Sequence, residues 1–258
     1  MHANGFPPHA YLGLLNKIAD NFQVNTPLLR SFWLDIPKTP IKNWELLADD
    51  FIEYMFDQEQ VNNIGIGHSI GGTLLLYTAI RKPELFSKII LLDPVLFSPF
   101  KCYAWNLINK IGLGLYFHPL AKKALNRKKT FKSKEDIFDR YRRKKIFENF
   151  SNKSLNIYID SIIKQHTDSV QLNFSTKIES DIYLSGLTLE KFIMDNLHNL
   201  KSKVHIMYAD KDTTISKSIM NSISKNSLIE FKKMDGLSHL FPMEDSDRVY
   251  SNIKKILI

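Results

Sequence analysis

The sequence predicts an α/β fold: a mostly parallel sheet with helices on both faces. Three observations carry that expectation. Stretches with helical spacing of apolar residues alternate with short apolar runs. Lys88-Ile-Ile-Leu-Leu-Asp93-Pro94 is almost unbroken in its apolar character and closes on an Asp-Pro, which is how a strand covered on both faces reads. Gly67-His68-Ser69-Ile70-Gly71-Gly72 lies between one apolar run, Val61 to Ile66, and another, Thr73 to Ala79, where a strand turns sharply into a helix. With 258 residues, 44% of them hydrophobic and 24% charged, the chain can bury one large core, and nothing in it suggests disorder, collagen or a coiled coil.

Taken in order, Tyr11, Leu14, Leu15, Ile18 and Phe22 recur at helical spacing, and Phe22 to Asn25 passes into a short strand ended near Pro27. Asn43 is placed to cap a second helix whose Trp44, Leu47, Phe51 and Met55 form an inward stripe. A strand over Asn63 to Gly67 delivers Ser69, a helix over 70–81 stops before Pro83, and the strand from Lys88 follows. From Val95 to about Leu200 the pattern changes to helices separated by polar turns, with Ser133-x-x-Asp136 as a capping box. The alternation then resumes with a strand over Val204 to Ala209, a helix around Ser216 to Ser222, a strand over Leu228 to Lys232, and a final helix with Val249, Ile253 and Leu257 on its core face. The expected division is a core of residues 1–94 and 201–258 interrupted by a helical cap, residues 95–200.

The net charge of +8 is local. Residues 122–145 hold twelve Lys/Arg against Glu135, Asp136 and Asp139, a balance of +9 that leaves the remainder close to neutral. Such a patch reads first as a solvated helical face. Peripheral contact with acidic lipid headgroups, or attraction of an anionic tail such as that of a coenzyme A thioester, is the functional alternative. Nucleic acid is not expected, because no aromatic-interleaved or finger motif accompanies the charge. Lys101, Lys110 and His118 divide the apolar segment Val95 to Ala121, so it reads as a buried or interfacial lid and not as a membrane span. Phe97, Phe100, Tyr103, Trp105, Leu107, Ile111, Leu115 and Phe117 give that lid a greasy character or pack it onto the core. The single cysteine, Cys102, and the lack of a secretory leader make a cytoplasmic setting the expectation.

The chemistry begins at Ser69. A strand-to-helix turn strains the serine backbone and exposes its hydroxyl, with glycines two residues before and two after avoiding a clash, and the first amides of the helix lie ready to stabilise an oxyanion. A serine hydroxyl needs a base, and His239 is placed for it in the turn-rich Asp235-Gly-Leu-Ser-His-Leu-Phe-Pro after a strand. The base needs a carboxylate: Asp212 is favoured as the residue farther out on its loop, with Asp210 and Asp93 as alternatives read chiefly as turn formers.

The order Ser69, Asp212, His239, each fed by a strand, resembles the α/β-hydrolase superfamily along the whole chain. His2-Ala-Asn-Gly-Phe-Pro looks like the oxyanion loop of these enzymes, Tyr208-Ala-Asp-Lys-Asp212 like their acid loop, and Gly236-Leu-Ser-His239 like their histidine loop. The resemblance implies a serine hydrolase with a helical cap and no cofactor or metal, acting on a small-molecule ester or thioester with an apolar acyl group through an acyl-enzyme. Ile70 and one of Asn4 or Phe6 would supply the oxyanion amides. The rival is a catalytically impaired, hydrolase-like scaffold that binds a ligand or a membrane surface.

One feature departs from the family: its oxyanion loop follows three strands, whereas this chain begins at that loop, so N-terminal strands are missing. The expectation is that translation starts upstream of Met1. Failing that, neighbouring strands close the gap or another chain fills it, and the loop at residues 2–7 frays.

Overall fold

Where the sequence offers unbroken apolar runs, strands form, and where apolar residues recur every three or four positions, helices cover them. The computed structural model describes residues 1–35, 40–58 and 61–257. Helix α1 (Leu12–Ala19) and helix α2 (Glu45–Asp57) precede strand β1 (Asn63–His68), helix α3 (Ile70–Arg81) and strand β2 (Phe86–Leu92). Helices α4 (Pro99–Lys110), α5 (Gly114–Phe117) and α6 (Pro119–Leu125) follow, then β3 (Thr130–Phe131), α7 (Lys134–Arg142), α8 (Asn152–Ile162), β4 (Ile163–His166), β5 (Ser169–Leu172), α9 (Thr176–Leu184) and α10 (Glu190–Asn196). Strand β6 (Lys203–Ala209), helix α11 (Lys217–Ile223), strand β7 (Ile229–Met234) and helices α12 (Phe241–Glu244) and α13 (Ser246–Leu257) complete the chain.

The central sheet runs β1-β2-β6-β7, all parallel. One face is covered by α2, α3, α10 and α11 through Leu47, Phe51, Leu74, Ile193 and Ile219, the other by α1 and α13 through Leu14, Ile18, Val249 and Ile253. Burial on both faces explains why β2 is apolar at almost every position while Lys88 stands near its start. Parallel order also brings the ends of β1, β2 and β6 to one edge, where the loops that carry chemistry gather.

Three sequence expectations are corrected. The segment between β2 and β6 is not helical throughout: β3, β5 and β4 form a small antiparallel sheet. The strand expected over Phe22 to Pro27 is absent, because a strand needs a ladder partner and this stretch faces a cavity of about 360 Å³ that separates it from the outer edge of β1. Phe22, Val24, Ile64 and Ile66 line that cavity, so the expected closure of the gap by neighbouring strands is not seen among the described residues. Among the described residues, only the far end of that edge is paired, where the Met1 nitrogen donates to Ile66 O and the Met1 carbonyl accepts from His68 N. The loop at residues 2–7 does not fray. His2, Ala3, Asn4 and Phe6 are all buried, and Phe6, Ala10 and Tyr11 share a core with Tyr141, Phe147, Tyr158 and Ile162.

Helix α10 starts at Glu190, a buried carboxyl beside the Cys102 thiol, near the amides of Phe97 and Leu189 but without a hydrogen bond of good geometry to either oxygen among the described residues. Burial is the main cause that pushes its pKa from 4.5 to about 7. Because the folded state holds this proton more tightly, the stability it contributes is complete below 4.5 and is lost as pH rises through about 7. Glu190→Gln is therefore expected to raise unfolding free energy at about pH 8 by up to about 3 kcal/mol, and to match wild type in acid, as read from denaturant melts at both pH values.

Candidate active site

The turn from β1 into α3 holds Ser69 at φ 56°, ψ −126°, a region that L-residues occupy only under constraint. Two glycines make the turn possible. A Cβ on Gly67 would stand 2.5 Å from Gly71 O, and one on Gly71 would stand 2.6 Å from the carbonyls of both Met1 and His2. The second glycine thus admits the N-terminal loop as well as the helix.

His239 reaches Ser69 from the loop after β7, with Nε2 3.0 Å from the serine Oγ. Its Nδ1 lies 2.6 Å from Oδ2 of Asp93, the residue that follows β2. Asp93 is fully buried, at φ 43°. Its Oδ1 accepts from Ala209 N at 3.0 Å and Thr213 Oγ1 at 2.6 Å, and its Oδ2 also accepts from Thr214 N at 3.1 Å and Thr214 Oγ1 at 3.2 Å. Burial is the strongest influence and acts to raise its pKa, but contact with His239 and the donors from Thr213 and Ala209 outweigh it, so the carboxyl sits below its ordinary range. An ionised acceptor at Nδ1 fixes the tautomer: Nδ1–H donates to Asp93, and Nε2 is left to accept from Ser69.

Asp212, the favoured carboxylate, is not brought to His239. It is exposed at φ 56°, and its side chain makes no hydrogen bond among the described residues. The loop after β6 contributes donors in its place, since Thr213 and Thr214 turn inward onto Asp93 while Asp212 points to solvent. Asp210 does not bond the amides of its own turn: it accepts from Gly236 N at 2.9 Å in the loop after β7 and pairs with Lys233 at 2.7 Å.

Of the three amides proposed for an oxyanion, Phe6 N donates to Ala3 O at 3.1 Å inside the turn Ala3 to Phe6 and is spent there. The amides of Ile70 and Asn4 meet no acceptor among the described residues. The turn is clamped from the segment between β2 and β6: Asn4 Nδ2 donates to Glu179 O at 2.9 Å, Tyr158 OH donates to Gly5 O at 3.2 Å, and Glu179, paired with Arg127 at 2.6 Å, leaves room only for glycine at position 5.

His68 lies outside the residues that the sequence singles out for chemistry, yet it packs against the site. Its ring is buried, 4.9 Å from that of His239, and Nε2 donates to the His239 carbonyl at 2.9 Å. Nδ1 must then accept, from the Tyr11 hydroxyl at 2.7 Å, and that hydroxyl accepts in turn from Ala3 N at 3.1 Å. Burial first, and the neighbouring His239 second, push the His68 pKa down to about 3, which keeps it neutral.

No family model matches the chain. A type I acyl-CoA thioesterase of Penicillium brevicompactum, mpaH', is 28% identical over 111 residues, a stretch that spans 37% of this chain and only 25% of that relative. Likeness in structure reaches much further. The chain superposes on E-2-(acetamidomethylene)succinate hydrolase with a TM-score of 0.77, covering 99% of this chain and 89% of the other at 15% identity. It superposes on the peroxisomal α/β-hydrolase Lpx1 of Saccharomyces cerevisiae with a TM-score of 0.76, covering 100% and 74% at 17% identity. The chain has the α/β-hydrolase fold.

Within this α/β-hydrolase fold the Tyr11 hydroxyl joins the N-terminal loop to the histidine loop through His68. Tyr11→Phe leaves a buried amide and a buried ring nitrogen without partners, and is expected to lower unfolding free energy by about 2 kcal/mol in urea titrations.

Proposed function

We propose that the protein is a serine hydrolase that cleaves a carboxylic ester or thioester with an apolar acyl group. The observation that carries this reading is the unbroken hydrogen-bonded chain from the Ser69 hydroxyl through His239 to buried Asp93. Hydrolase, and in one case thioesterase, names among the similar proteins agree with it. In this reading residues 1–94 and 201–258 form the core and residues 95–200 the cap.

The steps follow from the tautomer. His239 Nε2 takes the Ser69 proton as Oγ attacks the acyl carbonyl, and the Ile70 and Asn4 amides face the oxygen that gains charge. Asp93 stabilises the imidazolium without taking its proton. On collapse, the carbon–oxygen or carbon–sulfur bond breaks and Nε2–H protonates the departing alcohol or thiol. Water then enters, gives a proton to Nε2 and attacks the acyl-enzyme, which releases the carboxylic acid and restores Ser69 with its proton.

A fluorophosphonate probe is expected to label Ser69 and to leave folded Ser69→Ala unmodified; a folded wild type that stays unlabelled would favour the impaired scaffold. With p-nitrophenyl esters of graded chain length and acyl-coenzyme A as substrates, Asp93→Asn is expected to lower kcat about ten-thousandfold with little change in KM, whereas Asp212→Asn stays within about twofold of wild type. The reverse pattern would return the carboxylate role to Asp212.

A further inference from the structure

Helix α4 is mounted with its apolar stripe facing outward. Its inner side is fixed by buried Cys102 and by Trp105 Nε1 and Asn109 Nδ2, which donate to Leu184 O at 3.2 and 3.0 Å. Phe100, Tyr103, Leu107 and Ile111 stand at 79%, 71%, 52% and 61% exposure, and at 100° per residue they fall within an arc of about 80°. The short helices that follow add exposed Tyr116, Phe117 and Leu120. Of the residues expected to pack a lid onto the core, Phe97 and Trp105 are half-buried, while Phe100, Tyr103, Leu107, Ile111, Leu115 and Phe117 form a surface of a kind that soluble monomers seldom display.

The segment that carries this surface has charge of one sign. From Pro94 through Lys134, inclusive, there are nine Lys/Arg and no Asp or Glu. Lys101, Lys110, Lys122 and Lys123 make no ion pair among the described residues, although Arg127, Lys128 and Lys134 do. No helix among the described residues is long and apolar enough to cross a membrane. Apolar side chains at the tip with unpaired lysines at the rim match the acyl boundary and the headgroup layer of an anionic bilayer, one layer each.

We propose that the outward face of α4 to α6 docks on an anionic phospholipid surface, with Phe100, Tyr103 and Leu107 entering the interface and Lys101, Lys110, Lys122 and Lys123 lying against the headgroups. This assignment is independent of the catalytic reading, since it rests on residues that take no part in the Ser69 chain, and it is tested with Ser69→Ala protein as well as with wild type. Both are expected to sediment with vesicles of phosphatidylcholine containing about a third phosphatidylglycerol, and to remain in solution with phosphatidylcholine alone. Phe100→Ser/Tyr103→Ser/Leu107→Ser is expected to weaken partitioning at least about tenfold. Lys122→Glu/Lys123→Glu, which alters only exposed positions, should do the same on anionic vesicles and shift its midpoint to lower salt.

Failure of the wild type to sediment with anionic vesicles overturns the proposal, as does equal sedimentation of wild type and both folded variants. A wild-type dimer in light scattering that the triple serine variant converts to monomer, without vesicle binding, would assign the face to a second copy of this chain and overturn it too.

Discussion

Asp93 is a charge buried without solvent contact at the end of β2, and the geometry of the site follows from how that charge is satisfied. An isolated carboxylate in such a place would take up a proton. Here two hydroxyls, two backbone amides and the His239 ring converge on its oxygens. Those donors come from the end of β6, the loop after it and the loop after β7, so a single carboxylate fixes the relative positions of three connections. The parallel order β1-β2-β6-β7 sets these connections side by side, which ties sheet topology directly to the orientation of one imidazole.

A second constraint holds the other side of that imidazole. His68 sits in the motif around Ser69, yet its side chain supports the main chain of His239 and, through Tyr11, the amide of Ala3. The serine turn, the histidine loop and the N-terminal loop are thereby joined by neutral groups whose donor and acceptor roles are each determined. Neutrality matters: a charged His68 would place a second cation 4.9 Å from the His239 ring and oppose the imidazolium of the proposed mechanism.

Ser69 and His239 were legible in the sequence because their signals are local. The glycine pattern around Ser69 answers a steric demand within a few residues, and His239 follows a strand in a turn-rich loop. The choice of carboxylate was not local. Asp212 and Asp93 both follow strands, and what separates them is which loop turns its acid inward, decided by Thr213 and Thr214 bonding across to β2. A trace of this was present in the fully apolar run before Asp93, since an acid that ends a doubly covered strand is buried with it. The antiparallel sheet beyond α6 was hidden for a different reason: β3 has two residues and β4 reads Ile-Lys-Gln-His, too short and too polar for an alternating pattern.

The loop at residues 2–7 shows how order can survive beside a void. Most of the outer edge of β1 has no ladder partner among the described residues, and by that measure the loop next to it should move freely. Its order comes from elsewhere. His2, neutral because burial pushes its pKa down to about 4, donates from Nδ1 to Ala3 O at 2.8 Å and accepts from Leu29 N at 2.9 Å. Tyr11 holds Ala3 N, while Glu179 and Tyr158 grip Asn4 and Gly5 from the segment between β2 and β6. The loop is thus shared between the sheet and the helices above it. A displacement of α9 or α8 would reach Asn4 and Gly5 directly, without passing through the sheet, which ties the segment between β2 and β6 to the loop that packs against Gly71.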